Sequence, residues 1–185
     1  MKAFIIHGAY GSSKENWIPW LRKNLSKLGI DVVVPDFPTP QGQTIDIWMH
    51  MIDAHIKKLD EGAIFIGHSV GCAFILSILE KLKTPAVGCY FVAGWSGPLG
   101  KEIDTLNKSI ADRNFNWVKI KSNSRKFVMF ASNNDSWVPI EKSKELIGKL
   151  SGELVEILDG GHFNTSSGYT EFKPLLEKII ETVKK

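Results

Sequence analysis

Ile64-Phe65-Ile66-Gly67-His68-Ser69-Val70-Gly71-Cys72-Ala73-Phe74-Ile75 is the stretch on which the reading of the fold turns. Its first three residues are an apolar run, and apolar Phe74, Ile75 and Ile78 follow the second glycine, so a strand passes into a helix across Gly67 to Gly71. A Gly-x-Ser-x-Gly at such a junction puts the serine on a sharp, strained turn that lifts its hydroxyl clear of the sheet. Side chains at 67 and 71 would collide with neighbouring backbone. By composition alone the pattern recurs in roughly one chain in fifteen of this length, and the strand-turn-helix setting lowers that further. Gly94-Trp95-Ser96 begins the same pattern, but Pro98 stands where the second glycine belongs. The plainer alternative is a tight turn with a serine helix cap. A phosphate loop fits worse, because neither G-x-G-x-x-G nor G-x-x-x-x-G-K is present.

Outward from this junction, short apolar runs alternate with amphipathic stretches. Strands are expected at Ala3 to Ile6, Asp31 to Val34, Ala63 to Ile66, Ala86 to Ala93, Phe127 to Ala131 and Leu154 to Leu158. Helices are expected at Trp17 to Leu28, Thr44 to Leu59, Val70 to Leu82, Ile140 to Leu150 and Phe172 to Val183, with short helices and loops from Gly94 to Ser124. This alternation predicts an α/β fold with a mostly parallel six-stranded sheet covered by helices on both faces. Its length of 185 residues suits a single domain, 1–185. Ligands bind such sheets outside the carboxyl ends of the strands, so functional residues should fall just after strands.

A serine hydroxyl needs a base to take its proton. With an elbow of this kind the order along the chain is serine, acid, histidine. His162 is the only histidine C-terminal to Ser69 and sits in Asp159-Gly160-Gly161-His162-Phe163, after the last strand. Asp135 follows the strand before it, in a turn of asparagine and serine closed by Pro139. Asp159 is the rival acid, nearer in sequence but placed to end its strand or bond the turn. Asp36 follows the second strand and belongs to the wrong side of the sheet. The expected catalytic residues are therefore Ser69, Asp135 and His162.

An oxyanion hole would combine the N–H of Val70 with one from the loop after the first strand, His7-Gly8-Ala9-Tyr10-Gly11. Ala9 is the first choice of donor and Tyr10 the second, and His7 is expected to hold the loop backbone. Of the six tryptophans most should be core. Trp95 and Trp137 follow strands, and with Tyr10 they are the expected substrate wall. His50 and His55 point away from each other on a helix, so no metal is expected there.

Composition excludes several classes. The net charge is +3, from 23 basic and 20 acidic residues without a long run of one sign, which leaves a nucleic-acid partner no basic patch. No segment has the apolar length of a membrane span, and the apolar run at the N-terminus is too short for a leader. Cys72 and Cys89 lie in apolar stretches and read as buried free thiols, consistent with the cytoplasm.

Several features, in this order, resemble the small serine hydrolases of the YdeN and retinoblastoma-binding serine hydrolase family. They are His7-Gly8, Trp17 with Trp20-Leu21, Asp36 to Pro40, Trp48, Ile66 to Gly71, Asn133 to Pro139 and Gly160 to Phe163. The resemblance runs nearly end to end. It implies a compact α/β-hydrolase fold without a large lid domain, a triad on Ser69, Asp135 and His162, and esterase-like activity. A retinoblastoma-type partner is not expected, because neither cysteine lies in an L-x-C-x-E segment. The expected function is hydrolysis of small-molecule esters or related acyl substrates through an acyl-enzyme, without a cofactor. Amide or peptide cleavage by the same residues, or a binding module that does no chemistry, are the alternatives.

Overall fold

The computed structural model describes residues 1–59 and 62–184, and none of the expected site residues lies outside them. Six strands, β1 (Lys2–Ile6), β2 (Asp31–Val33), β3 (Ile64–His68), β4 (Gly88–Val92), β5 (Phe127–Ser132) and β6 (Glu153–Ile157), form one sheet. Its order is β2-β1-β3-β4-β5-β6, and every neighbouring pair is parallel. The helices are α1 (Ile18–Lys27), α2 (Ile45–Ile56), α3 (Val70–Leu79), α4 (Asp104–Ala111), α5 (Trp117–Ser122), α6 (Ile140–Leu150) and α7 (Lys173–Val183). At least one helix crosses between each pair of consecutive strands, which is what a parallel sheet requires.

Alternation along the strands divides the core into two layers. Phe4, Ile6, Phe65, Phe91, Met129 and Ala131 face a layer that also receives side chains from α2, α3, α4, α5 and α6. Their neighbours Ala3, Ile5, Ile64, Ile66, Val92, Val128 and Phe130 face the layer covered by α1 and α7. Each strand is thus apolar on both faces, which is why it reads as a continuous apolar run rather than an alternating one. All ten residues of α3 are buried. No amphipathic stripe marks it in the sequence, because neighbouring elements surround it.

The differences from the sequence reading are at element ends. The fourth strand was expected from Ala86 to Ala93, but Ala86 makes only an isolated bridge to Ser124, and Ala93 turns out of the strand with φ +49°. Conversely, β3 continues through Gly67 to His68, so the strand runs right up to Ser69. Between β4 and β5 the chain forms α4 and α5 and returns to the sheet, without an inserted lid domain. Cys72 and Cys89 are free and fully buried, and burial pushes the Cys89 thiol up to about 12. Among the described residues no helix is long and apolar enough to cross a membrane.

β1 and β3 are adjacent while β2 lies on the far side of β1, so the direction of the winding reverses at β1/β3. The crevice expected above that point is where the loops after β1, β3, β4, β5 and β6 converge.

Candidate active site

Ser69 follows β3 directly and caps α3, with φ +56° and ψ −127°. A non-glycine residue in that region costs on the order of 1–3 kcal/mol and persists only where its surroundings enforce it. The surroundings are backbone. A Cβ on Gly71 would come within 2.6 Å of Ile6 O, and one on Gly67 within 2.8 Å of Cys72 N. The Ser69 N–H donates to Val92 O at 2.9 Å, fixing the turn to β4. Backbone strain clusters here: of the non-glycine residues with positive φ, all but Ser151 lie in loops that follow strands around this crevice or in the chain just beyond them.

The loop after β1 presses on the serine. A Cβ on Gly8 would lie 2.8 Å from the Ser69 Cβ. His7 holds this loop as expected: Phe37 N–H donates to its Nε2 at 2.9 Å, so Nδ1 carries the proton and donates to Gly8 O at 2.8 Å. Burial lowers the His7 pKa and favours this neutral form. Tyr10 N–H is committed to Thr39 Oγ1 at 2.8 Å, which removes it as an oxyanion donor. Ala9 N–H makes no hydrogen bond among the described residues. Val70 is the first residue of α3, so its N–H is one the helix leaves unused.

His162 and Asp135 meet across β5 and β6. His162 Nδ1 lies 2.8 Å from Asp135 Oδ2, and the Asp135 side chain is 2 % exposed. Asp135 Oδ1 accepts from Trp137 N–H at 2.8 Å and Val138 N–H at 3.1 Å, so the carboxylate is held from both sides. The rival Asp159 sits in a left-handed turn, and its carboxylate makes no hydrogen bond among the described residues. Asp36 is engaged at the other end of the crevice, accepting from Ser13 N–H and Oγ–H.

Three supports of the histidine loop escaped the sequence reading. Asn133 Oδ1 accepts from Asp159 N–H at 2.8 Å, and Asn134 Oδ1 from Gly161 N–H at 2.7 Å, so the two asparagines tie the acid loop to the base loop. They looked like turn formers, and only the adjacency of β5 and β6 gives them this reach. The third is His68. Its Nε2 lies 2.8 Å from His162 O, so Nε2 carries the proton and donates. The two rings are 4.9 Å apart, and Trp17 closes the other side at 5.9 Å.

Burial, reinforced by the His162 ring, drives the His68 pKa from 6.5 down to about 3. The folded protein therefore holds this ring neutral, whereas the unfolded chain protonates it as pH falls through 6.5. The unfolded state then binds more protons, so stability is lost as pH falls below 6.5 toward 3. His7 acts in the same direction. His68→Gln keeps a donor for His162 O and removes the titration. We expect urea unfolding between about pH 6 and 4.5 to lose less stability in the variant, by up to about 1.4 kcal/mol per pH unit. Parallel curves for variant and wild type would contradict a neutral His68.

Ser69, His162, Ala9, Tyr10, Trp95 and Trp137 line one cavity of about 240 Å³, joined by Leu99, Ile103, Asn107 and Val138. The expected site residues thus come together, apart from Asp135 and Val70, which lie behind His162 and Ser69. Trp95 is buried, whereas Tyr10 (62 % exposed) and Trp137 (51 %) stand at the mouth. His50 and His55 are both exposed. Among the described residues no cluster could hold a metal ion.

The serine hydrolase family model matches residues 3–181. YdeN of Bacillus subtilis is 30% identical over 183 residues, spanning 97% of this chain and 94% of that protein. The serine hydrolase RBBP9 of Rattus norvegicus is 28% identical over 181 residues, spanning 96% and 93%. The crystal structure of YdeN superimposes with a TM-score of 0.92 over 100% of this chain and 99% of that one. A Xanthomonas campestris protein described as a hydrolase of the alpha/beta superfamily matches at a TM-score of 0.67 over 98% of each chain, at 11% identity, a likeness of fold alone.

Proposed function

The chain belongs to the serine hydrolase family and has the α/β-hydrolase fold, and on that premise we propose that it cleaves small carboxylic esters or related acyl compounds through an acyl-enzyme on Ser69. The observation that carries this reading is the 2.8 Å contact between Asp135 Oδ2 and His162 Nδ1 beside the cavity that holds Ser69. The Asp135 carboxylate accepts a hydrogen bond from Nδ1–H, which holds that tautomer and leaves Nε2 as the base. His162 Nε2 takes the Ser69 proton as Oγ attacks the carbonyl carbon, and the Ala9 and Val70 N–H groups receive the oxyanion. The imidazolium returns its proton to the leaving alkoxide. Water, activated by the same base, then releases the acid and restores the serine. In the free structure no hydrogen bond joins Ser69 Oγ to His162, and such contacts tighten when substrate is bound. We assign the whole site to one domain and, from its two buried free thiols, the protein to the cytoplasm.

The cavity sets the expected substrate size. Its 240 Å³ accommodates a short acyl group, and the chain between β4 and β5 contributes only the short helices α4 and α5. Each methylene left in water forgoes about 0.8 kcal/mol of burial. Turnover of p-nitrophenyl acetate and butyrate should therefore exceed that of the palmitate ester. A kcat/KM that kept rising from four carbons to sixteen would refute this limit.

A further inference from the structure

A hydrogen-bond relay runs from the loop after β1 to α4. Tyr10 N–H donates to Thr39 Oγ1 at 2.8 Å, and that hydroxyl donates to Gln43 Oε1 at 2.6 Å. Gln43 Nε2 in turn donates to Asn107 Oδ1 at 2.7 Å. With Gln43 Oε1 accepting from Thr39 and Gln43 Nε2 donating to Asn107 Oδ1, the relay ends with the Asn107 Nδ2 protons. That nitrogen is buried and has no hydrogen-bond partner, the only such side-chain atom among the described residues. Asn107 is 2 % exposed, on the inward face of α4, and it lines the same cavity as Ser69. A buried donor without a partner costs about 1–3 kcal/mol, and folded proteins retain few of them. One on the wall of a catalytic cavity suits an acceptor that arrives with the substrate.

Resting on the serine hydrolase reading, we propose that Asn107 is a specificity-determining residue, and that the preferred substrate is an ester whose short, neutral acyl chain carries an ether or ketone oxygen to accept from Asn107 Nδ2. The acyl rather than the leaving group is assigned to this part of the cavity because it must stay enclosed until water attacks. The leaving alcohol departs first, by the open side between exposed Tyr10 and Trp137. Trp95, Leu99, Ile103 and Val138 supply an apolar lining for the rest of the chain. The acceptor is neutral because Glu15 is the one side chain of fixed charge along this lining, and it would repel a carboxylate.

p-Nitrophenyl methoxyacetate and p-nitrophenyl butyrate differ only by an ether oxygen in place of a methylene. The readout is the ratio of their kcat/KM values in the wild type, in Asn107→Asp and in Asn107→Leu. Comparing the ratio between proteins cancels the greater intrinsic reactivity of the methoxyacetate. Asn107→Asp keeps an acceptor for Gln43 Nε2 and, assayed at a pH where the carboxyl is ionised, replaces the free donor with a charged acceptor oxygen, so it remains informative if the leucine variant does not fold. The ratio should fall by about tenfold in both variants, the worth of one hydrogen bond to a buried donor. A ratio unchanged in folded variants would overturn the proposal and assign Asn107 to packing alone. Fluorophosphonate labelling of each variant separates the two levels: label on Ser69 with an unmoved ratio sinks only the Asn107 inference. Absence of label from the wild type would sink the hydrolase reading and this one together.

Discussion

Ser69→Ala should reduce ester hydrolysis by on the order of 10⁴ or more in kcat while leaving the fold intact. Loss of the hydroxyl removes the attacking atom, and with it the acyl-enzyme route. What remains is catalysis by the oxyanion donors and by substrate positioning. The fold should not suffer, because the Ser69 hydroxyl makes no hydrogen bond among the described residues, and the turn is held by the Ser69 N–H to Val92 O. The substitution keeps a Cβ, so the strained φ of +56° is neither relieved nor worsened. Circular dichroism and a thermal midpoint within a few degrees of wild type would show that the loss is chemical. A variant that kept a tenth of the activity would place the nucleophile elsewhere, with Ser96 the first suspect.

The second large effect is expected at the acid. Asp135→Asn still accepts from the Trp137 and Val138 N–H groups through Oδ1, so the loop retains its shape. Its amide, however, presents N–H to His162 Nδ1 where the carboxylate presented an acceptor. The imidazole then favours the tautomer with the proton on Nε2, which cannot take one from Ser69. The cost should reach about 10⁴ in kcat, with little change in KM. Asp159→Asn should cost less than about threefold. Its carboxylate makes no hydrogen bond among the described residues, and asparagine tolerates the left-handed φ of +56° at that position. A reversal of these two effects would move the acid to Asp159.

The parts of the site that were legible in the sequence are those that backbone geometry forces. Gly67 and Gly71 are required because Cys72 N and Ile6 O approach within a bond length or two of where a side chain would begin, so the elbow is written into residue type. Ser69, Asp135 and His162 each follow a strand, and a parallel sheet brings such positions to one edge. The contacts that were not legible depend on which strands become neighbours. Asn133 and Asn134 reach the histidine loop only because β5 lies beside β6. The His68 bond to His162 O joins residues 94 apart, and the sequence marks His68 only as a variable position within the elbow. Asn107 lies in the least regular part of the chain, where no periodicity places it on the cavity. The strand ends that differed, at Ala86 and Ala93, are places where a continuous apolar run carries on past the last paired residue.

The central claim is that Ser69 is a covalent nucleophile, and a fluorophosphonate probe tests it directly. The wild-type protein should acquire a single label, mapped by peptide mass spectrometry to the segment around Gly67 to Gly71 and localised to Ser69. Labelling should disappear in Ser69→Ala and slow strongly in Asp135→Asn. A label on Ser96, or one that persists in Ser69→Ala, would contradict the account.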